Sequence, residues 1–262
     1  MNKKIKNPLL VLAVGLIVVF ASTIGATRAA VIYQDRAKQV NFETSKVSVD
    51  LFESSDETNR ESVSESGILE FPAIGDTVKI GEKYNEFVDV SNESKLYKEY
   101  VRVKVRKYWV KDVDGTLQKD TSLDPSLIEL DIDGSKWFKN TDESTPEEDV
   151  YYLTSVLPSA KDNTDGKVLN EVRFINGITI NDKVTRVVNT EDALNDDGVA
   201  ISGTIQNKYT YDSASFYVEL EVDAVQSHNA EAAIYGAWGV RTECTAVDDG
   251  DITKIEGKAT GR

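Results

Sequence analysis

The chain has 262 residues, with 45 acidic and 30 basic side chains, so its formal net charge is −15. This balance argues against nucleic acid as a partner, because phosphate binding requires clustered Lys and Arg. Cys244 is the single cysteine, so the sequence excludes an internal disulfide. The length suits one domain of β-sandwich size that is stabilised by packing or by cations.

The N-terminus has the pattern of a secretory signal peptide. Three lysines come first, Leu9–Phe20 is an apolar run, and small residues follow it. We expect cleavage between Ala29 and Ala30, which gives a signal peptide of residues 1–29 and a mature domain of residues 30–262. Because the first 29 residues carry four bases and no acid, the net charge would become −19. An uncleaved membrane anchor is the alternative, since the residues that follow lengthen the apolar run.

The mature chain would begin with an apolar, β-prone segment: Ala30, Val31, Ile32 and Tyr33. A free end of this kind either completes the core of its own domain or pairs with an open strand edge of another subunit. Donation of an N-terminal strand into the next subunit is a known route to polymers. These four residues are therefore the predicted donor strand for self-assembly.

Tyr100–Val110 is predicted to be the central strand. It alternates valines with basic residues, so one face meets a core and the other meets water. The preceding segment, Tyr84–Val90, is a second strand candidate, which a short polar loop joins to the first. We expect the two to form an antiparallel pair whose valines are covered by a second sheet.

A second alternating segment, Ser215–Val225, carries acids on its polar face. Placed beside Tyr100–Val110, it would pair opposite charges across the strands, each pair worth roughly 0.2–1 kcal/mol. The next segment, Ser227–Tyr235, predicts a short helix that Ser227 or Asn229 caps and that a glycine ends.

The remaining chain alternates between short strands and polar loops. Three further strands are predicted, at residues 47–51, 127–132 and 169–180. Three acidic loops are predicted, at about residues 53–67, 140–149 and 189–198, the last with one helical turn. Residues 201–209 fit either an edge strand or a loop. The predicted fold class is all-β: an antiparallel β-sandwich with a few short helices in its connections.

Four segments follow one another along the chain: a Lys-led signal ending in GATRAA, then SKVSVDL, YVRVKVRKYWV and AVQSHNAEAAIYGAWGV. In this combination the chain resembles the TasA and camelysin family of secreted proteins, whose signals are processed by a signal peptidase of the SipW type. The resemblance covers the whole chain loosely and is sharpest at its two ends. It implies a jelly-roll form of the β-sandwich.

The resemblance also implies a structural role, as the major subunit of extracellular fibres in a biofilm matrix. The expected location is secreted, in the extracellular matrix or at the cell surface of a Gram-positive bacterium. The expected partners are other copies of the chain in a homopolymer, with or without an accessory matrix subunit, and the SipW-type signal peptidase.

The camelysin branch of the family is described as metallopeptidases, which makes a zinc site the main chemical alternative. A hydrolytic zinc site usually takes three protein ligands and a water. The chain has one histidine, His228, and no HExxH motif. We expect His228 to hydrogen-bond at a strand-to-helix turn, and Cys244 to be a small buried hydrophobe. The sequence therefore predicts no catalytic residue and no cofactor.

Calcium is the other metal to consider. Five clusters place Asp residues beside a glycine: Asp112–Asp114, Asp131–Asp133, Asp162–Asp165, Asp196–Asp197 and Asp248–Asp251. Such oxygen groups suit Ca²⁺, yet none has a full twelve-residue calcium loop, and Asp-Gly is also the ordinary hairpin turn. We favour the turn at each cluster and leave weak calcium binding at one of them open.

Three functions remain at this stage. The first is a self-assembling matrix protein, the second a cell-surface metallopeptidase of the camelysin type, and the third a monomeric surface adhesin. The lack of a recognisable catalytic constellation in the sequence favours the first over the second.

Overall fold

The computed structural model describes residues 48–257, apart from residues 57–58, 65, 76–77, 187 and 195–199. The described residues belong to one compact unit, Lys46–Arg262. The predicted signal peptide, its cleavage site between Ala29 and Ala30, and the predicted donor strand at residues 30–33 all lie outside the described residues.

The described part of the chain is mostly strand. The strands are β1 Val49–Ser54, β2 Glu61–Ser62, β3 Lys83–Tyr84, β4 Phe87–Asn92, β5 Glu99–Val113, β6 Thr116–Lys119, β7 Ile128–Ile132, β8 Trp137–Lys139, β9 Glu148–Leu153, β10 Glu171–Ile180, β11 Val188–Leu194, β12 Ala200–Tyr209, β13 Ala214–Gln226, β14 Arg241–Cys244 and β15 Ile252–Glu256. The helices are α1 Ala230–Trp238 and three short 3-10 helices at Pro125–Leu127, Ala160–Asp162 and Asp182–Thr185.

Two antiparallel sheets form the sandwich. Sheet A has the order β2-β1-β4-β10-β3, with β7 also paired to β10. Sheet B has the order β13-β5-β9-β8, with β6 also paired to β5. Two separate hairpins, β11–β12 and β14–β15, complete the strands. The predicted all-β sandwich with a few short helices is confirmed, and the chain passes repeatedly from one sheet to the other, as jelly rolls do.

The facing sides of the sheets supply one continuous apolar core. Its valines and aromatic residues come from both sheets, and they include Val88, Val90, Val101, Val103, Val105, Trp109, Trp137 and Phe174. A smaller core lies on the outer face of sheet B, under α1, where Tyr100 and Tyr152 pack against Ile234 and Trp238. Sheet B is therefore covered by apolar groups on its inner face and, in part, on its outer face.

The predicted central strand is confirmed and is longer than expected. It is β5, which continues to Val113 and turns into β6. Asp114 and Gly115 have φ of 54° and 82°, the left-handed values of a two-residue hairpin turn. The Asp112 carboxylate accepts a hydrogen bond from the Gly115 amide at 2.7 Å. The Asp-Gly turn predicted there is therefore correct.

The predicted pairing of β4 with β5 is wrong. β4 pairs with β1 and β10 in sheet A, whereas β5 pairs with β13 and β9 in sheet B. The valines of both strands lie in the same core, so the two strands cover each other across it. The connection is held by Asn92, whose side-chain amide donates to the carbonyls of Tyr97 and Leu157.

The predicted neighbouring of β5 and β13 is confirmed, with Asp223 opposite Arg102 and Glu221 opposite Lys104. The predicted helix is also confirmed, with later bounds. Asn229 is its N-cap residue, and Gly239, with φ of 73°, ends it.

The predicted third acidic loop with its helical turn is wrong where the structure describes it. Residues 189–194 belong to β11, which pairs with β12, and residues 195–198 lie outside the described residues. Residues 201–209 are a strand rather than a loop. Pairing with β12 decides the conformation here, because an acidic segment has little strand propensity of its own.

Candidate functional site: an open strand edge

β13 is the edge strand of sheet B. One side of it pairs with β5 along its whole length, from Ala214 to Gln226. In an antiparallel pair every second residue turns its backbone N–H and C=O away from the partner strand. Those outward groups need another strand, a loop or solvent.

The middle of this edge is covered by a short segment, Gly67–Phe71, which we call the edge segment. Leu69 donates its amide to the Val218 carbonyl at 3.0 Å, and the Leu220 amide donates to the Gly67 carbonyl at 2.8 Å. The Val218 carbonyl and the Leu220 amide, on the outward side of β13, are therefore satisfied.

Gly67 is required for this contact. Its φ is +71°, and a Cβ added there would lie 2.0 Å from the carbonyl oxygen of Leu220. Only a residue without a Cβ allows the backbone to approach β13 so closely.

The far end of the edge segment is anchored to sheet A. Glu53 of β1 accepts hydrogen bonds from the amides of Glu70, at 2.9 and 3.1 Å, and of Phe71, at 2.7 Å. The Phe71 ring packs on Phe216 of β13, with centroids 5.3 Å apart. The edge segment therefore ties β1 to β13 across the side of the sandwich.

Beyond the edge segment, the described residues leave part of the β13 edge, at Val222 and Ala224, uncovered. By the alternation along β13, Val222 and Ala224 also turn their backbone groups outward, and the described residues supply no hydrogen-bond partner for them. A groove of about 430 Å³ runs beside this edge, between β1 and β13. Its lining includes Val49, Leu51, Val63, Glu219 and Val222. The groove therefore lies beside the outward backbone groups of Val222.

The open edge lies next to the start of β1. Glu99, opposite Gln226 of β13, is fully buried and accepts the Ser48 amide at 3.3 Å. The Ser48 carbonyl accepts a hydrogen bond from the Glu93 amide at 2.7 Å. Burial raises the pKa of Glu99 to about 7, although the Ser48 amide opposes the shift. Ser48, where the described chain begins, therefore lies beside the end of β13 that pairs with Glu99.

The outer face of sheet B carries a ladder of ion pairs beside this edge. Arg102 meets Asp223 at 2.6 Å, and Lys104 meets Glu221 at 2.6 Å. Arg106 contacts Glu219, Glu221 and Glu148 at 2.6–3.0 Å. Lys104 and Arg106 hold the pKa of Glu221 below its usual range. Arg102, Lys104 and Arg106 of β5 are each paired with acidic side chains, so they do not form a free basic patch.

A second, apolar groove of about 730 Å³ lies at another part of the sandwich. Its lining includes Val78, Ile80, Trp109, Tyr211 and Phe216. The Trp109 ring meets Tyr211 and Phe216 edge to face, with centroids 5.0 and 6.0 Å apart. Among the described residues we find no feature that identifies an occupant.

His228 lies where the sequence predicted, at the turn before α1. Its side chain is 83% exposed, and Nδ1 is 2.8 Å from a carboxylate oxygen of Asp248. The same oxygen accepts the Asn229 amide at 2.7 Å. Cys244 is half-buried beside the smaller core, where burial raises the pKa of its thiol. His228 and Cys244 are thus part of separate contacts, and the structure does not bring them together.

The described Asp clusters make turn and capping contacts. Asp133 accepts the Ser135 amide at 3.0 Å, and Asp162 accepts the Ser159 amide at 3.0 Å. Asp131 pairs with Lys83, and Asp249 pairs with Lys98. Within the described ranges, no group of three or more His, Cys, Asp or Glu side chains is placed to hold a metal ion. Asp196 and Asp197 lie outside those ranges.

The comparisons with known proteins add no relative. No protein-family model matches the chain, and neither a curated protein nor a solved structure matches it significantly. The part of the chain that the structure describes contains no helix of the length and apolarity needed to cross a bilayer.

Proposed function

We propose that the mature protein is a secreted structural subunit that assembles into extracellular fibres by donating its N-terminal strand to the next copy. The observation that supports this most directly is the open edge of β13 beside the groove at the start of β1. An added strand would satisfy the outward groups of Val222 and Ala224 and fill the groove.

The chain before β1 is long enough for this exchange. Residues 30–47 form a connection of 18 residues, which spans about 60 Å when extended. Its first four residues, Ala30, Val31, Ile32 and Tyr33, are the apolar end that would enter the neighbouring groove. A contact from the N-terminus of one copy to the side of the next does not close on itself, so it propagates as a filament.

The proposed setting follows from the signal pattern and the resemblance to the TasA and camelysin family. A SipW-type signal peptidase would release the chain at Ala30, outside a Gram-positive cell, into the matrix or onto the surface. The homopolymer would need no cofactor, and an accessory matrix subunit would act in starting or anchoring the fibre. An N-terminus at Ala30 in the secreted protein, measured by mass spectrometry, is the expected result; an intact Met1 on membrane-bound protein would contradict it.

The experiment that tests assembly is deletion of Ala30–Gln39 from the mature protein. We expect a folded, soluble monomer that forms no filaments, as measured by circular dichroism and electron microscopy. A matched pair, Val31→Asp and Gln34→Asp, separates apolar insertion from a general effect of charge: the first should stop filaments and the second should not. Normal filaments from the deletion variant would rule out the donor strand, and loss of the fold would show a core strand of the same domain.

We propose that the protein itself has no peptidase activity, since no second histidine exists in the chain and the described residues place no group of three or more His, Cys, Asp or Glu side chains to hold a metal ion. Casein cleavage by protein freed of contaminating proteases is the test. Activity that survives purification and is lost in His228→Ala would replace this proposal with the camelysin-type enzyme. A monomer that stays unassembled yet binds matrix sugars would instead favour the adhesin.

A further inference from the structure

Two glutamates face each other inside the sandwich, where the edge segment meets sheet A. Glu86, just before β4, is fully buried, and Glu53 of β1 is 7% exposed. Glu53 lies opposite Val88 in the β1–β4 register, so Glu86 is its diagonal neighbour on the same, core-facing side of the sheet. No Lys, Arg or His of the described residues forms an ion pair with either glutamate.

The hydrogen bonds of the two carboxyl groups are unequal. Both oxygens of Glu53 accept backbone amides of the edge segment, from Glu70 and Phe71. Neither oxygen of Glu86 receives a hydrogen bond from an N–H or hydroxyl donor of the described residues. The carboxyl group that neighbours Glu86 on this face of the sheet is that of Glu53, which interacts with it electrostatically. Two ionised carboxylates only accept, so they bond to each other only when one carries a proton.

We propose that Glu86 is a carboxylic acid at neutral pH, that it donates its proton to the Glu53 carboxylate, and that this proton site holds the edge segment against β13. The chain of contacts runs from Glu86 to Glu53, from Glu53 to the amides of Glu70 and Phe71, and from there to the Gly67–Leu69 contact with β13.

The surroundings of Glu86 favour its protonated form. Burial is the larger cause and the neighbouring Glu53 the smaller one, and together they raise the pKa of Glu86 to about 10. Glu53 is the titratable group that faces it from β1. On the side of the edge segment, Glu53 accepts hydrogen bonds from the amides of Glu70 and Phe71. The carboxyl group of Glu70 itself does not face the pair, because its side chain is exposed. Two amides already donate to Glu53, whereas no N–H or hydroxyl of the described residues donates to Glu86, so we place the proton on Glu86.

A bound cation is the other way to neutralise such a pair, and the donor set disfavours it. Both oxygens of Glu53 already face amide hydrogens, which repel a cation. The described residues supply no third His, Cys, Asp or Glu ligand at this place, whereas calcium takes six to eight oxygen ligands. One proton leaves the pair with a single negative charge, to which the amides of Glu70 and Phe71 donate hydrogen bonds.

The proton makes the fold depend on pH in a direction opposite to common acid unfolding. A carboxyl whose pKa is raised on folding binds its proton more tightly in the folded chain, so its contribution is full below the unfolded pKa. It is then lost progressively as pH rises toward the folded pKa. Ionisation of Glu86 would place a second negative charge beside Glu53 and weaken its hold on the edge segment.

The test compares the wild-type chain with Glu86→Gln, whose amide also donates a hydrogen bond to Glu53 but does not titrate. Denaturant unfolding between pH 5 and pH 9 should show the wild-type folding constant falling about tenfold per pH unit relative to the variant. Glu61→Gln, on an exposed residue of β2, serves as the control and should leave the wild-type slope unchanged.

Infrared spectra of the wild-type protein give a readout that does not require any variant to fold. A carboxylic-acid carbonyl band should remain at pH 9, where Glu99 is ionised, and disappear above about pH 10, and Glu86→Gln should lack it at pH 9. The protection of the Leu69 amide against hydrogen exchange, relative to the base-catalysed rate of an unprotected amide, should fall over the same upper range. Absence of the band at pH 9, or parallel stabilities of the two proteins, would overturn the proposal. Calcium chloride that stabilises the wild type but not Glu86→Gln would show a cation in place of the proton.

Discussion

Two parts of the β13 edge differ in how their outward backbone groups are covered, although they belong to one strand. At Val218 and Leu220 the edge is covered by the backbone of the edge segment, whereas at Val222 and Ala224 the described residues leave it open. The cover depends on a glycine that no other residue can replace at that distance. Edge protection in this domain is therefore local and is set by where one close backbone approach is allowed.

Removing the edge segment from the covered part of β13 should have the largest effect on stability. Gly67→Ala would strain a positive φ and drive a methyl group into the Leu220 carbonyl. We expect a loss of about 2–5 kcal/mol in the free energy of unfolding, measured by denaturant titration. Gly134→Ala is the matched control, because nothing lies within 4 Å of its added Cβ. Equal stability of the two variants would show that the edge segment does not need its present contact.

Proline substitutions distinguish the open side of β13 from its paired side. Asp223 faces Arg102 in the pairing with β5, so Asp223→Pro should remove a ladder hydrogen bond and cost about 3 kcal/mol. Ala224→Pro removes an outward N–H and should cost much less, yet it should stop filament growth if a strand adds there. Denaturant unfolding and electron microscopy measure both. If folded Ala224→Pro protein still forms filaments, the added strand must pair with an edge other than this part of β13.

The C-terminal end of β13, where Gln226 lies opposite Glu99, should make stability depend on pH through Glu99. Because its pKa is raised to about 7, the folded chain holds the proton more tightly than the unfolded one. The stability contributed by this group is full below about pH 4.5 and falls by up to about 1.4 kcal/mol per pH unit until pH reaches about 7. Glu99→Gln should remove that slope in unfolding experiments. A slope that persists in the variant would assign it to other groups.

The ion-pair ladder beside the edge should matter least. Lys104 and Glu221 are 2.6 Å apart on a partly exposed face. A double-mutant cycle with Lys104→Ala and Glu221→Ala should give a coupling of about 0.2–1 kcal/mol that decreases in high salt. A coupling above about 2 kcal/mol would mean that the ladder, rather than the edge segment, holds β13 in place.

The sequence by itself determined the two longest strands and which face of each meets the core. The alternation in Tyr100–Val110 and Ser215–Val225 predicted β5, β13 and their opposite charges, because side chains on a strand repeat every two residues. The same alternation places Glu86 with Val88 and Val90, and Glu99 with the valines of β5. This signal, an acid on an apolar face, could have identified both buried carboxyl groups in advance.

Only the tertiary structure decided which strands are neighbours and where an edge stays open. The short loop between β4 and β5 suggested a pair, but the valines of both strands could be buried together only by facing each other from opposite sheets. The role of Gly67 was likewise hidden in an acidic tract, because its partner, Leu220, lies more than 150 residues away along the chain. Periodicity is local and is written in the sequence, whereas pairing depends on burying apolar faces and satisfying backbone groups across the whole domain.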